Sequence, residues 1–155
     1  MLLTNIAVAQ QIAHHLPEQA LLRRHEEPIE RRLNIFKERA TRLGYTFDTS
    51  SAGAFMRSFD AIENKDACEL LQIIAYKAMH TAKYFCAGML DIAKYSHYAL
   101  NMPLYTHFTS PIRRYADIIA HRQLESIFVN NNNGSEAKFT MDRDSVAKVA
   151  QQCNM

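Results

Sequence analysis

The residues best equipped for chemistry lie in the run Tyr105-Thr-His-Phe-Thr-Ser-Pro-Ile-Arg-Arg-Tyr115. Ser110 followed by Pro111 has the pattern of a helix cap and a first helical residue. The spacing therefore predicts a helix that starts there and runs through Ile112, Ala116, Ile119, Leu124 and Ile127. Arg113 and Arg114 then fall in its first turn, where the positive end of the helix dipole opposes each cation by roughly 0.3–1 kcal/mol. An anion bound at that turn reverses the sign. Free N–H groups and guanidinium forks together make a phosphate site, and the planar fork suits a phosphodiester better than an ammonium does. Thr109 and Ser110 offer hydroxyl donors to the same oxygens, although capping would occupy Ser110. The structural alternative is that Arg113 pairs with Asp117 four residues on and Arg114 with a neighbour. Asp117, His121, Arg122 and Glu125 are then an ordinary polar stripe. Spacing alone leaves both readings open.

Around this run stand Tyr95, Tyr98, Tyr105, Phe108 and Tyr115, which have the chemistry to stack on unpaired bases and equally that of a core. Tyr98 and Tyr105 are the better candidates for stacking, because they sit in stretches expected to be extended and to lead into the arginine turn. His97 and His107 have no partner at metal-ligand spacing, so hydrogen-bonding roles compete with ligation or acid–base work. There is no closely spaced carboxylate cluster, phosphate-binding glycine loop, Gly-x-Ser-x-Gly or His-Glu-x-x-His, so no metal site is expected in these residues. Asp142 and Asp144 read as first-turn residues of a helix.

The elements that must position this run are mostly helical. Leu2, Ile6, Ala9, Ala13 and Leu16 recur at helical spacing until Pro17. Pro28 stands as a first helical residue ahead of Ile29, Leu33, Phe36, Ala40 and Leu43, with Gly44 as the stop. The charges of that helix read as a solvated face rather than an RNA contact. Ser50-Ser51 precede a short helix carrying Phe55, Phe59 and Ile62. Asn64 caps another, with Ala67, Leu70, Leu71, Ile74 and Ala78 turned to the core. Residues 82–87 and 95–100 have aromatic, extended character and are expected as short strands, and the chain is expected to be extended again from Pro103 to Ser110. Thr140 is a candidate cap for a last helix with Val146, Val149, Ala150 and Cys153 on one face. Residues 130–138, with the Asn-rich run, read as a flexible loop. The first helix begins without a cap and the last has no stop, so both ends are expected to be cut from something larger.

Composition narrows the class. In 155 residues, 48% hydrophobic and 22% charged content fits a globular protein, and four glycines with four prolines are too few for an all-β sandwich. The expected fold is mainly α with a few short strands. A net charge of +2 is mild, but Arg23-Arg24-His25, Arg31-Arg32 and Arg113-Arg114 concentrate it. Three scattered cysteines, Cys68, Cys86 and Cys153, suggest neither zinc nor disulfides. No long apolar run spans a membrane, and a reducing, cytoplasmic location is expected.

Residues 95–124, Tyr-Ser-His-Tyr-Ala-Leu-Asn-Met-Pro-Leu-Tyr-Thr-His-Phe-Thr-Ser-Pro-Ile-Arg-Arg-Tyr-Ala-Asp-Ile-Ile-Ala-His-Arg-Gln-Leu, resemble the signature of the ribonuclease II (RNB) family. Leu-Leu-Thr-Asn-Ile-Ala-Val-Ala at the start and Pro-Glu-Gln-Ala-Leu-Leu-Arg-Arg-His at 17–25 are two further matching blocks. The resemblance implies that residues 1–155 are the C-terminal part of an RNB domain, an incomplete portion of an α+β catalytic domain. It also implies that the parent hydrolyses single-stranded RNA from the 3′ end, releasing nucleoside monophosphates with two magnesium ions held by upstream aspartates. A family glutamate falls just before the Met-Leu-Leu block. Arg113 matches the arginine of the Ser-Pro-Ile-Arg motif, expected to hold the scissile phosphate and stabilise its charge in the transition state. Arg114, Tyr98, Tyr105, His107, Thr109 and Ser110 complete the expected RNA-binding set. The resemblance extends to eukaryotic cytoplasmic exonucleases outside the exosome core and to fungal relatives that bind and repress messenger RNA without cutting it. Single-stranded RNA is the expected partner in either case, with no DNA and no membrane.

Overall fold

The computed structural model describes residues 1–132 and 138–155. Along the chain the elements are α1 (Leu2–His15), β1 (Leu21–Arg24), α2 (Glu30–Arg42), α3 (Ala52–Asp60), α4 (Lys65–Tyr76), β2 (Lys83–Cys86), α5 (Tyr115–Asn132) and α6 (Arg143–Cys153). Single 3₁₀ turns cover Ala87–Met89, Ile92–Lys94 and Tyr98–Leu100. The fold is mainly α with one two-stranded sheet, as composition indicated. It divides into two units: residues 1–25, 82–97 and 102–155 form the first, and residues 26–81 with 98–101 the second.

In the first unit, α1 buries Val8, Ala9 and Ile12 and ends at Leu16, one residue before Pro17. β1 and β2 pair antiparallel, with Leu21 opposite Cys86 and Arg24 opposite Lys83. Leu21, Leu22 and Phe85 join Ile119, Ile127 and Val146 in one apolar core. Burying these side chains gives each about 1.5–3 kcal/mol, the main force holding helices to sheet. Gln123 is fully buried there, accepting from the Leu21 N–H at 3.0 Å and donating to the Gln19 carbonyl at 2.6 Å. It satisfies backbone groups at the mouth of β1 that would otherwise be costly to bury.

The second unit packs Phe36, Phe55, Phe59, Leu71 and Ala75, with Phe47 at its side. Its rings meet edge to face, Phe47 on Phe59 at 4.7 Å and Phe55 on Phe59 at 5.2 Å. The caps are those the sequence indicates: Ser51 accepts from the Ala54 N–H and Asn64 from the Ala67 N–H. Gly44 takes φ +85° just past α2, the left-handed stop that favours glycine.

Several expectations are corrected. Leu21–Arg24, read in the sequence as part of a matching block and, at Arg23-Arg24, of a basic cluster but not as an element, is a strand. Residues 95–100 are not a strand: His97 makes isolated bridges to His25 and Met102, and the chain then turns through the 3₁₀ step at Tyr98–Leu100. Pro28 lies outside α2, whose cap is Ile29. Leu70 is 50% exposed and not in the core, because α4 turns Leu71 and Ala75 inward instead. Asp142, not Thr140, caps α6 by accepting from the Ser145 N–H. α5 carries on through Asn132, within the stretch expected as loop, and residues 133–137 of that stretch lie outside the described residues.

Candidate nucleic-acid interface

The helix expected from Ser110 begins five residues later, at Tyr115. Residues 110–113 form a turn instead, closed by the Arg113 N–H donating to the Ser110 carbonyl at 3.2 Å. Asp117 ties this turn down: its fully buried carboxylate accepts from the Ser110 N–H at 2.8 Å through Oδ2, a contact that a helix running unbroken from residue 110 to 117 would pull apart. The same carboxylate takes Arg114 as a bidentate fork, Nε to Oδ1 at 2.7 Å and Nη2 to Oδ2 at 2.8 Å. Of the two arginines, Arg114 is therefore the ion-paired one. Arg113 is exposed, and no hydrogen bond or ion pair among the described residues occupies its guanidinium. Dipole repulsion inside a helical first turn is thus not what the arginines meet.

The approach to the turn is pinned from far away in sequence. Asn5, buried on α1, donates through Nδ2 to the Tyr105 hydroxyl at 2.9 Å and accepts from the Phe108 N–H at 3.0 Å. Thr106 donates its hydroxyl to the Leu21 carbonyl at 2.8 Å, and the Arg23 N–H donates to the Tyr105 carbonyl at 2.7 Å. Residues 105–106 thus lie alongside β1 without being a strand. Phe108 stacks flat on His121 at 3.8 Å, and a ring nitrogen of His121 bonds the Phe108 carbonyl at 2.8 Å.

The expected site residues divide. Thr109, Ser110, Arg113 and Arg114 share one turn, and the Thr109 hydroxyl is buried with no hydrogen-bond partner among the described residues. Tyr105 is only 7% exposed, its ring against His97 and His107 and its hydroxyl bound to Asn5, so it is a core residue and not a surface for stacking. His107 shares a 2.6 Å hydrogen bond between Nδ1 and the Tyr84 hydroxyl. Burial, with Arg114 and Arg23 adding to it, lowers the His107 pKa to about 4, so the ring is neutral at pH 7 and brings no charge. Tyr98 belongs to the second unit, half-buried, and burial followed by the Glu27 charge pushes its phenol pKa up.

Sequence reasoning missed Asn5, Tyr84 and the role of Arg23. The Arg23 guanidinium lies 4.6 Å from the Tyr84 ring centroid, a cation–π contact. Arg23 and Arg114 both act on Tyr84 and His107, with Asp117 as the opposing charge. The Arg23-Arg24 cluster was the available signal for Arg23; Asn5 stood only inside the matching block at residues 2–9, with no role given to it.

The carboxylates present do not suit magnesium. Both oxygens of Asp117 are taken by Arg114 and Ser110, and Asp142 is occupied as a cap. Among the described residues no three His, Cys, Asp or Glu side chains converge to hold a metal ion. None of the described helices is long and apolar enough to cross a membrane.

Comparison with known proteins bears on this arrangement. The family model described as "RNB domain" matches residues 1–130. "Protein SSD1" of Saccharomyces cerevisiae is 37% identical over 97% of the chain, and "DIS3-like exonuclease 2" of Xenopus tropicalis is 42% identical over 99%. The chain spans 12% and 19% of those two proteins' lengths. The solved structure of yeast Ssd1, described as a pseudonuclease, superposes with a TM-score of 0.90 at 37% identity, over 97% of this chain and 18% of that one. Mycoplasma genitalium RNase R bound to ribose-methylated single-stranded RNA shares the fold, with a TM-score of 0.77 at 24% identity over 99% of this chain and 24% of that one.

Proposed function

The chain belongs to the RNB-domain family, and on that premise we propose that its 109–114 turn grips the phosphodiester backbone of single-stranded RNA in a cytoplasmic parent protein. The observation that carries this reading is the contrast between the two arginines. Arg114 is locked to Asp117 and fixes the turn, whereas Arg113 presents an exposed guanidinium, unpaired among the described residues. A pinned turn that offers one free guanidinium suits the two non-bridging oxygens of a phosphodiester. Arg23 and Arg114 add positive field behind it. His107 serves as a neutral hydrogen-bonding group and Tyr105 as a support.

In the parent, the reaction is hydrolysis from the 3′ end to nucleoside monophosphates, with Arg113 holding the scissile phosphate and stabilising the charge that grows on it. The magnesium-binding aspartates come from outside these residues; among those described, no three carboxylate, histidine or cysteine side chains converge, and Asp117 and Asp142 are engaged by Arg114 and Ser145. The second reading is binding to messenger RNA without cleavage. It is favoured by the likeness to a protein described as a pseudonuclease, matched over 97% of this chain. Both readings use the same turn.

The test is made on the full-length parent with a 5′-labelled single-stranded RNA and magnesium. A ladder shortening from the 3′ end, stopped by chelator and slowed strongly by Arg113→Ala, supports hydrolysis. RNA that is bound but left intact supports the second reading. In both cases Arg113→Ala should weaken binding of unrelated strands alike and make the log–log salt slope shallower by about 0.7. Unchanged affinity and slope would remove Arg113 from the phosphate.

A further inference from the structure

In the second unit a groove runs between α2 and α4, and its chemistry is unlike that of the arginine turn. Arg32, Ile35, Phe36 and Arg39 follow one another at i, i+3, i+4 and i+7 along α2 and line it from one side, while Ile74 on α4 and Lys77, the residue just past its end, line it from the other. The cavity is about 410 Å³. Three cations face it and no carboxylate lines it. Arg32 donates only to the Lys77 carbonyl, at 3.4 Å, and no ion pair among the described residues engages Arg32, Arg39 or Lys77.

Two further depressions each share a lining residue with it. Ile35 is shared with a second depression along α2, and Lys77 with a third that carries Ile73 and Tyr76 on α4. Ile35, Ile73 and Tyr76 are 42%, 61% and 79% exposed, far more than a core requires of such side chains. The strip therefore has a basic centre over an aliphatic floor and an apolar outer end. Carboxylates occur only beyond the centre, Glu30 and Glu38 on one side and Glu69 on the other.

We propose that this groove docks an acidic amphipathic helix of a protein partner, whose central carboxylates meet Arg32, Arg39 and Lys77 and whose apolar residues cover Ile35, Ile73 and Tyr76. Charge complementarity selects the acid, and the apolar side chains exposed beside the cations select an amphipathic segment, for which a helix is the compact form. RNA fits less well. The floor is aliphatic and Phe36 is 1% exposed, so the centre presents no ring on which a base can stack. This inference does not depend on the RNA reading of the arginine turn.

The probe is a fluorescein-labelled, amidated helical peptide with leucines at i, i+3 and i+7 and glutamates at its centre, titrated against the full-length parent by anisotropy. Saturable binding should weaken about tenfold in the Arg39→Glu/Lys77→Glu double variant, whose side chains are exposed and whose thermal transition should not move. A peptide with lysines in place of the glutamates should regain binding to that variant and not to the wild type. Absence of saturable binding to the wild type, or equal affinity in the variant, would overturn the proposal. So would loss of single-stranded RNA binding in the variant with peptide binding unchanged, which would make the groove a nucleic-acid surface.

Discussion

Asp117→Asn separates simple electrostatics from the architecture described above. Counted by charge alone, removing an anion beside Arg114 makes the surface more positive and should tighten RNA binding. The structure gives the opposite sign. Asp117 is fully buried and holds three hydrogen bonds, two from the Arg114 guanidinium and one from the Ser110 N–H. Asparagine keeps one acceptor oxygen, but it turns an amide donor toward the guanidinium and leaves that partly buried cation without a counter-charge. Breaking one side of such a pair costs about 3–5 kcal/mol. The same order follows from hydrogen bonds to charged groups at about 1.5–3 kcal/mol each, less what asparagine retains. In a domain of this size that corresponds to a fall in Tm of roughly 6–20 °C. The turn should loosen as well, since the contact between residue 117 and the Ser110 N–H that ties it down is weakened, and Arg113 then leaves its fixed position. The assay is differential scanning calorimetry of the full-length parent together with filter binding of a labelled single strand at fixed salt, below the variant's melting point. Affinity should fall despite the added positive charge. A variant that melts with the wild type and binds RNA as tightly or more tightly would refute the reasoning.

Asn5→Ala removes both bonds that tie α1 to residues 105–108, and should cost about 2–4 kcal/mol in chemical denaturation because the Phe108 N–H is left buried and unpaired. An unchanged denaturation midpoint would show that the segment is held by other contacts. Both His97 and His107 have folded-state pKa values lowered to about 4 from 6.5. The unfolded chain therefore takes up protons first as pH falls, so stability should be flat above pH 6.5 and decline between 6.5 and 4. Urea melts across that range should show the decline, and a shallower one in His107→Gln; a profile indifferent to that substitution would contradict it. RNA affinity should gain nothing from His107 between pH 6 and 8, since the ring is neutral throughout. A Cβ at Gly88 would stand 2.6 Å from the Glu18 carbonyl oxygen, so Gly88→Ala should destabilise by about 1–3 kcal/mol, read as a lower Tm.

What the sequence disclosed and what it hid follow from the range of the forces involved. Ser51 and Asn64 act on backbone three residues away, so their caps were readable from local pattern. The Lys83–Cys86 strand was readable from its aromatic, extended character. Leu21–Arg24 was not, because two leucines followed by two arginines do not alternate and the strand exists only through a partner at 83–86. Tyr95–Leu100 failed in the reverse direction: its aromatics fit a pleated surface, but no strand lies beside it except at His97. Within the candidate site, the Arg-Arg step and its hydroxyl neighbours were legible by residue type. Their geometry was not, since the Ser-Pro step has the pattern of a helix start and the contact that ties down residues 110–113 comes from a buried carboxylate seven residues on. Tyr105 was misjudged for the same reason, its partner Asn5 lying a hundred residues away.

The pairing of residues 21–24 with 83–86 also sets a timetable for the chain as it is made. The first strand leaves the ribosome long before the second exists, and the intervening residues 25–82 take roughly 3–12 s to synthesise at 5–20 residues per second. Through that interval Leu21 and Leu22 have neither Phe85 nor α5 to cover them. The second unit, whose aromatic cluster draws only on residues 33–79, can condense meanwhile. Its collapse shortens the effective loop that β1 and β2 must close, which lowers the entropy lost when they meet. Synthesis in this order lets the second unit form before the sheet, and until residues 83–86 arrive the β1 edge is open to pairing with another strand.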